Sequence, residues 1–187
     1  MSEITGILLA AGCSSRFGSN KLLHLLPDGT AVGVAAAANL MEAMPSSVAV
    51  VPQGDRELRK AFSDLGMRVV DNPLASHGMS TSIVAGISAS ADADGWVIAL
   101  ADMPWVKPDS IQLLVKALKQ GSSIVVPEYK SQRGNPAGFS SNWKDALCNL
   151  SGDKGARGLI KSHSSEVTLI NVHDEGVLRD VDVRIDI

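Results

Sequence analysis

Short apolar runs of strand length alternate with helix-length segments through the first two thirds of the chain, and this alternation constrains the fold more than any other feature. Residues 4–10 read as a buried strand. Residues 31–44 are alanine-rich, read as a helix and stop at Pro45. Residues 47–51 form a second strand, 55–65 a helix stopped by Gly66, and 67–70 a third strand. Residues 80–91 read as a helix. Residues 96–101 are apolar throughout, which marks a fourth strand buried on both faces. Residues 108–120 open with a proline at a helix start and close at Gly121. A fifth strand covers 123–126. Strand and helix in this repeating order predict an α/β fold: three α/β/α layers around a mostly parallel, Rossmann-like sheet with right-handed crossovers.

After Pro127 the pattern changes. Residues 128–150 read as a hairpin-like excursion with a short helix, 155–162 as another helix and 166–171 as another strand. No repeat, low-complexity tract or linker interrupts the 187 residues, so they are read as a single domain, 1–187. The composition suits this. At 45% hydrophobic and 20% charged residues, the chain can bury a full core.

A net charge of −3 without a basic stripe argues against nucleic acid as a partner. Cys13 and Cys148 are too few for a disulfide framework or a cysteine zinc site, and read as reduced thiols. The N-terminus has Glu3 and no basic segment, so no signal peptide is expected. No apolar run reaches the roughly 20 residues of a membrane span, so a cytoplasmic chain with no membrane association is expected.

In open sheets of this kind, ligands bind beyond the carboxyl ends of the strands. Three segments fall there: 11–21, 71–82 and 102–104. The first is Ala11-Gly12-Cys13-Ser14-Ser15-Arg16-Phe17-Gly18-Ser19-Asn20-Lys21. Gly12 and Gly18 permit positive φ and close backbone approach. Serine hydroxyls, backbone N–H groups, Arg16 and Lys21 suit a polyphosphate. A purely structural glycine-serine turn is the rival reading, and the two cations weaken it. The Walker pattern is absent: five residues separate Gly12 from Gly18, and Lys21 follows no glycine directly. The dinucleotide pattern G-x-G-x-x-G is absent as well, which disfavours a dinucleotide oxidoreductase.

The second segment carries Asn72-Pro73, a turn signal, then Gly78-Met79-Ser80-Thr81-Ser82. Ser80 or Ser82 fits a helix cap, and His77 a loop residue. The third segment places Asp102 at the end of the buried fourth strand. A hard carboxylate there suits Mg²⁺, which takes one or two carboxylates plus phosphate oxygens. Asp109 and Ser110 fit the local capping of the next helix better than Asp102 does. Farther on, Asp153 fits a cap for the helix after it.

Leu9-Ala10-Ala11-Gly12-x-Ser14-x-Arg16-x-Gly18-x-x-Lys21 resembles the signature of MobA-like nucleotidyltransferases, and most closely the molybdenum cofactor cytidylyltransferases. Leu100-Ala101-Asp102-Met103-Pro104 is similar to that family's metal motif. The resemblance implies a Mg²⁺-dependent nucleotidyltransferase with a nucleotide-binding half, 1–127, and an acceptor-side half, 128–187. It places the nucleoside triphosphate on Leu9, Ala10, Ala11, Gly12, Ser14, Arg16 and Lys21, and the base and ribose near Gly78, Ser80 and Ser82. Arg16, Lys21 and Asp102 take the catalytic roles. Ala-Ala-Gly, where guanylyl members carry Ala-Gly-Gly, favours CTP.

Arg133-Gly134-Asn135-Pro136 is an ordinary turn by composition, and by resemblance borders the acceptor pocket through Asn135 and Pro136. Gly152-Asp153-Lys154-Gly155-Ala156-Arg157 is similar to a family segment and offers Arg157, or Lys154, to an anionic acceptor. Arg179-Asp180-Val181-Asp182 resembles the family's C-terminal aspartate motif, which implies metal ligation by Asp180 or Asp182, with Asp180 favoured. The chain departs from the family at 183–186 and at 25–34. The implied acceptor is molybdopterin, with a molybdoenzyme or its chaperone as a protein partner. A sugar phosphate acceptor, or a nucleotide-binding module without catalysis, are the alternatives.

Overall fold

A computed structural model describes residues 3–12, 20–153 and 155–182. The strands are β1 (Ile4–Leu9), β2 (Val48–Pro52), β3 (Arg68–Asn72), β4 (Gly95–Leu100), β5 (Ile124–Tyr129), β6 (Gln132–Arg133), β7 (Ala137–Ser140) and β8 (Val167–Asn171). The helices are α1 (Val32–Ala43), α2 (Arg56–Asp64), α3 (Met79–Ala89), α4 (Pro108–Lys119), α5 (Lys144–Cys148) and α6 (Arg157–Ser162). All of the elements expected from the sequence are present, with ends shifted by a few residues.

The eight strands form one sheet, in the order β3-β2-β1-β4-β7-β5, with β8 and the short β6 both paired to β5. β1 to β4 are mutually parallel, and β5 and β8 pair in parallel. β7 enters antiparallel between β4 and β5.

Strand side chains alternate between the sheet faces, and the core divides accordingly. Leu8, Ala49, Val97 and Val125 face α1, α2 and α4 through Leu40, Phe62, Ile111 and Leu114. Ile7, Val50, Ile98 and Ile124 face α3 and α5 through Ile83, Ile87 and Leu147. The result is the three-layer α/β/α architecture. Both faces of β1 and β4 are covered, which explains why their sequences read as unbroken apolar runs.

Backbone pairing continues past the strand ends at one edge. Ala10 N–H donates to Val50 O at 2.9 Å, and Ala101 N–H to Leu9 O at 3.1 Å. These bonds fix the starting points of the loops after β1 and β4. Among the described residues, no helix is long and apolar enough to cross a membrane.

Candidate functional site

The loop after β1 returns to described structure at Asn20. Its carboxamide oxygen accepts from Leu22 N–H at 3.2 Å, which caps a short 3₁₀ turn, Lys21–Leu23. Its amide nitrogen donates to Asp55 Oδ2 at 3.2 Å. Asp55 in turn caps α2 by accepting from Leu58 N–H at 3.0 Å. The start of the 3₁₀ turn is therefore anchored to a neighbouring helix, and the next side chain is aimed from a fixed base.

That side chain is Lys21. Its ammonium donates to Asp102 Oδ2 at 2.7 Å and to the Val181 carbonyl at 2.9 Å. Val181 N–H donates to the Asp102 carbonyl at 2.8 Å. Three segments far apart in sequence thus close on one another: the end of the first loop, the end of β4 and the segment after β8. Lys21 and Asp102 remain 15% and 23% exposed, so the pair borders solvent and a ligand can reach it. From the sequence, Asp102 has no local cation partner; the fold supplies one from 81 residues away.

Val181 is fully buried, whereas Asp180 and Asp182 on either side are exposed. Both sit within one residue of backbone atoms bonded to Asp102 and Lys21. Among the described residues, no group of three or more His, Cys, Asp or Glu is placed to hold a metal ion. The carboxylates carried by these joined segments are Asp102 and, on the strap formed by residues 172–182 after β8, Asp180 and Asp182.

The remaining predicted positions divide into two groups. Leu9, Ala10 and Ala11 are buried, and Gly12 is exposed, with open space where a Cβ would stand. Gly12 does not take up the positive φ that the sequence reading allowed it. Ser14, Arg16 and Gly18 lie outside the described residues, as do Cys13 and Lys154. Gly78 does adopt positive φ, +108°, as the residue preceding α3. Ser80 and Ser82 therefore lie inside the helix, and neither caps it. Ser80 N–H donates to Gly152 O at 3.2 Å, and its hydroxyl is buried with no hydrogen-bond partner among the described residues. Ser82 Oγ accepts from Asn72 Nδ2 at 3.0 Å.

Asn72 also donates to Thr81 Oγ1 at 2.9 Å and accepts from Leu74 N–H at 2.9 Å. It locks the turn after β3 to α3. Reading Asn72-Pro73 as a turn signal located the residue but missed this role.

Asp153 does not cap α6, whose first turn has no side-chain cap. Its carboxylate lies instead against Gly78, where a Cβ would stand 2.5 Å from Oδ1. The segment leading to Arg157 accordingly lands beside Gly78 and Ser80, and Arg157 is exposed. On the other flank, Asn135 N–H donates to Val177 O at 2.8 Å, and the Asn135–Pro136 peptide is cis. Asn135 and Pro136 line a small cavity with Asn39, Leu100 and Met103. They are thus brought to the end of β4 and to Met103, the residue after Asp102.

In the segment after β8, the strap of residues 172–182, the sequence reading picked out Asp180 and Asp182 but missed what anchors the rest. Asp174 is buried and accepts three hydrogen bonds: from Lys107 N–H at 2.8 Å, Ser110 Oγ at 2.8 Å and Gly176 N–H at 2.9 Å. It therefore caps α4 from a distance, and neither Asp109 nor Ser110 does so locally. Gly176 lies so close to Trp105 that a Cβ would overlap its carbonyl oxygen, so only glycine fits. Asp174-x-Gly176 is an Asx-turn pattern, visible in sequence as a turn but silent about its partner.

Comparison with known proteins identifies the family. Residues 6–167 match the MobA-like NTP transferase domain. Nicotine blue oxidoreductase of Paenarthrobacter nicotinovorans is 29% identical over 96% of this chain and 92% of its own. Purine catabolism protein PucB of Bacillus subtilis is 30% identical over 96% and 91%. A probable molybdenum cofactor guanylyltransferase of Thermococcus sibiricus is 31% identical over 76% and 71%. Among solved structures, Rv0371C of Mycobacterium tuberculosis in complex with manganese superposes with a TM-score of 0.81 at 28% identity, over 99% of this chain and 96% of that one. The fold, the strand-end site and a domain match over most of the length lead to one conclusion: the chain belongs to the MobA-like NTP transferase family.

Proposed function

We propose that the chain transfers a nucleotidyl group, CMP from CTP, to the phosphate of molybdopterin with release of pyrophosphate. The observation that carries this reading is the closure of Lys21, Asp102 and Val181 at the carboxyl edge of the sheet. It brings a cation, a hard carboxylate and the Asp180–Asp182 segment to one point beside the donor loop.

The acceptor phosphate is already an anion, so its oxygen can attack the α-phosphorus without a general base. The bond to the β-phosphate oxygen breaks, and pyrophosphate leaves with the electron pair. Catalysis then consists of positioning and charge stabilisation. Lys21, held by Asp102 and the Val181 carbonyl, stabilises negative charge on the phosphates. Arg16 adds a second cation. Asn135 and Pro136 border the acceptor.

Asp102 fits a divalent cation. Lys21 engages only one of its carboxylate oxygens, and a second carboxylate, from Asp180 or Asp182, is one residue from the bonded strap. Mg²⁺ needs no more protein ligands than these when phosphate oxygens complete its shell. When bound, it supplies Lewis-acid stabilisation of phosphoryl charge. The manganese complex of the M. tuberculosis relative supports a divalent site in this family.

The donor base is the finer part of the proposal. Ala11 supports CTP by resemblance, while relatives named guanylyltransferase support GTP. The test is pyrophosphate release with Mg²⁺, each NTP in turn, and molybdopterin or a sugar phosphate. Release with CTP and molybdopterin is expected. Release only with GTP would move the donor assignment, and release only with a sugar phosphate would remove the acceptor assignment. Asp102→Asn should lower turnover by a factor on the order of 10³ while the fold persists; unchanged turnover would refute the metal role.

The name of one relative favours a second reading, an oxidoreductase. The chain lacks the dinucleotide glycine pattern that would support it. Hydride transfer from NADH or NADPH to a dye acceptor, in the absence of any pyrophosphate release, would establish it.

A further inference from the structure

Arg179 lies on the strap between two fixed points. Before it, the Val177 carbonyl accepts from Asn135 N–H; after it, Val181 is bonded to Asp102 and Lys21. Its own N–H donates to Gly176 O at 3.2 Å. Its guanidinium sits over the face of Trp105, with Cζ 4.1 Å from the ring centroid. Trp105 itself is three residues beyond Asp102. Backbone and side chain of Arg179 are therefore both held, although the residue is exposed. Among the described residues it makes no ion pair.

A long cationic side chain normally loses rotamer freedom when it meets an anion. Here the aromatic platform has already restricted it, and the in-plane N–H donors keep their fork geometry. That arrangement matches two oxygens of a phosphate monoester.

We propose that Arg179, stacked on Trp105, is a phosphate-recognition residue on the acceptor side of the site. In the function proposed above, on which its biological meaning rests, it holds the phosphate of the acceptor. The placement supports this choice of side. Asn135 is bonded to the same strap, whereas the segment carrying Arg157 packs against Gly78 and Ser80. The exposed carboxylates of Asp180 and Asp182 lie close by on the chain and weaken the hold on a bare anion. Binding of free phosphate in the range of about millimolar is therefore sufficient.

The test uses inorganic phosphate as the probe, titrated at constant ionic strength so that general screening does not imitate binding. The readout is the indole N–H resonance of Trp105 in ¹⁵N spectra, identified as the one missing in Trp105→Phe. A saturable shift is expected for the unmodified protein. Arg179→Lys should weaken it several-fold, and Arg179→Gln about ten- to hundredfold, the usual effect of losing a charged hydrogen bond. No saturable shift in the unmodified protein, or an equal affinity in Arg179→Gln, overturns the proposal. Arg179 is exposed, so these variants should fold normally; their amide spectra report this directly. Failure here is distinct from failure of the transferase reading. Pyrophosphate release without Arg179-dependent phosphate binding removes only the residue's role. Arg179-dependent binding without any release removes only the transferase reading.

Discussion

The β1–β4 half and the strap after β8 build the same site by opposite means. In the first, position is set by burial. Ile7, Leu8, Val50, Val97 and Ile98 are packed on both sheet faces, and each loop start inherits its place from the whole layer. In the strap, only Val172, Val177 and Val181 enter the core, and its course is fixed by a few polar contacts: Asp174 at the start of α4, Val177 on Asn135, and Val181 on Asp102 and Lys21. A typical hydrogen bond contributes about 1 kcal/mol net, against about 1.5–3 kcal/mol for burying one large aliphatic side chain. The frame is thus more redundant than the strap. Under the proposed transfer, the donor side rests on the frame and the acceptor side on the strap, so a change in acceptor preference need disturb only the second.

Three substitutions probe this contrast, from the largest effect to the smallest. Ile7→Ala removes a fully buried side chain between β1 and α3 and should cost about 2–5 kcal/mol of global stability, read from denaturant unfolding. Turnover per folded molecule should change little. Asp174→Ala leaves two backbone N–H groups and the Ser110 hydroxyl without their partner, at about 1–3 kcal/mol. Its signature should be local: faster amide exchange over residues 175–181 and a loss of turnover larger than the loss of stability explains. If Asp174→Ala instead lowers global stability as much as Ile7→Ala and leaves strap exchange unchanged, the contrast fails. Lys60→Ala removes an exposed i,i+4 pair with Asp64, remote from both systems, and should shift stability by no more than about 0.5 kcal/mol. A larger shift would mean that surface pairs count for more in this frame than burial predicts.

The same contrast explains what the sequence made readable. Strands and helices through β5 announce themselves because burial imposes a period on the residues. Asp102 was visible because a carboxylate at the end of a doubly buried strand stands out against its surroundings. Lys21 was readable as a phosphate cation but not as the partner of Asp102, since no local pattern encodes a contact across 81 residues. β7 was seen as half of a hairpin-like excursion. Its insertion between β4 and β5 was not, because four residues carry too little period to reveal their neighbours. Asp174 escaped for the same reason: its three donors come from residues 107, 110 and 176, and only the last is local.

The closure of Lys21, Asp102 and Val181 also bears on how the protein is made. Lys21 and Val181 are 160 residues apart, so on the ribosome one waits for the other while the residues between them are made. The parallel strands β1 to β4 can pair before the strap has emerged, since none of their partners among one another lies beyond residue 100. A nascent chain can therefore acquire much of its core while the Lys21–Asp102 pair still lacks its backbone clasp. The β1–β4 part of the sheet can be assembled early in translation, and the proposed reaction centre closes after it.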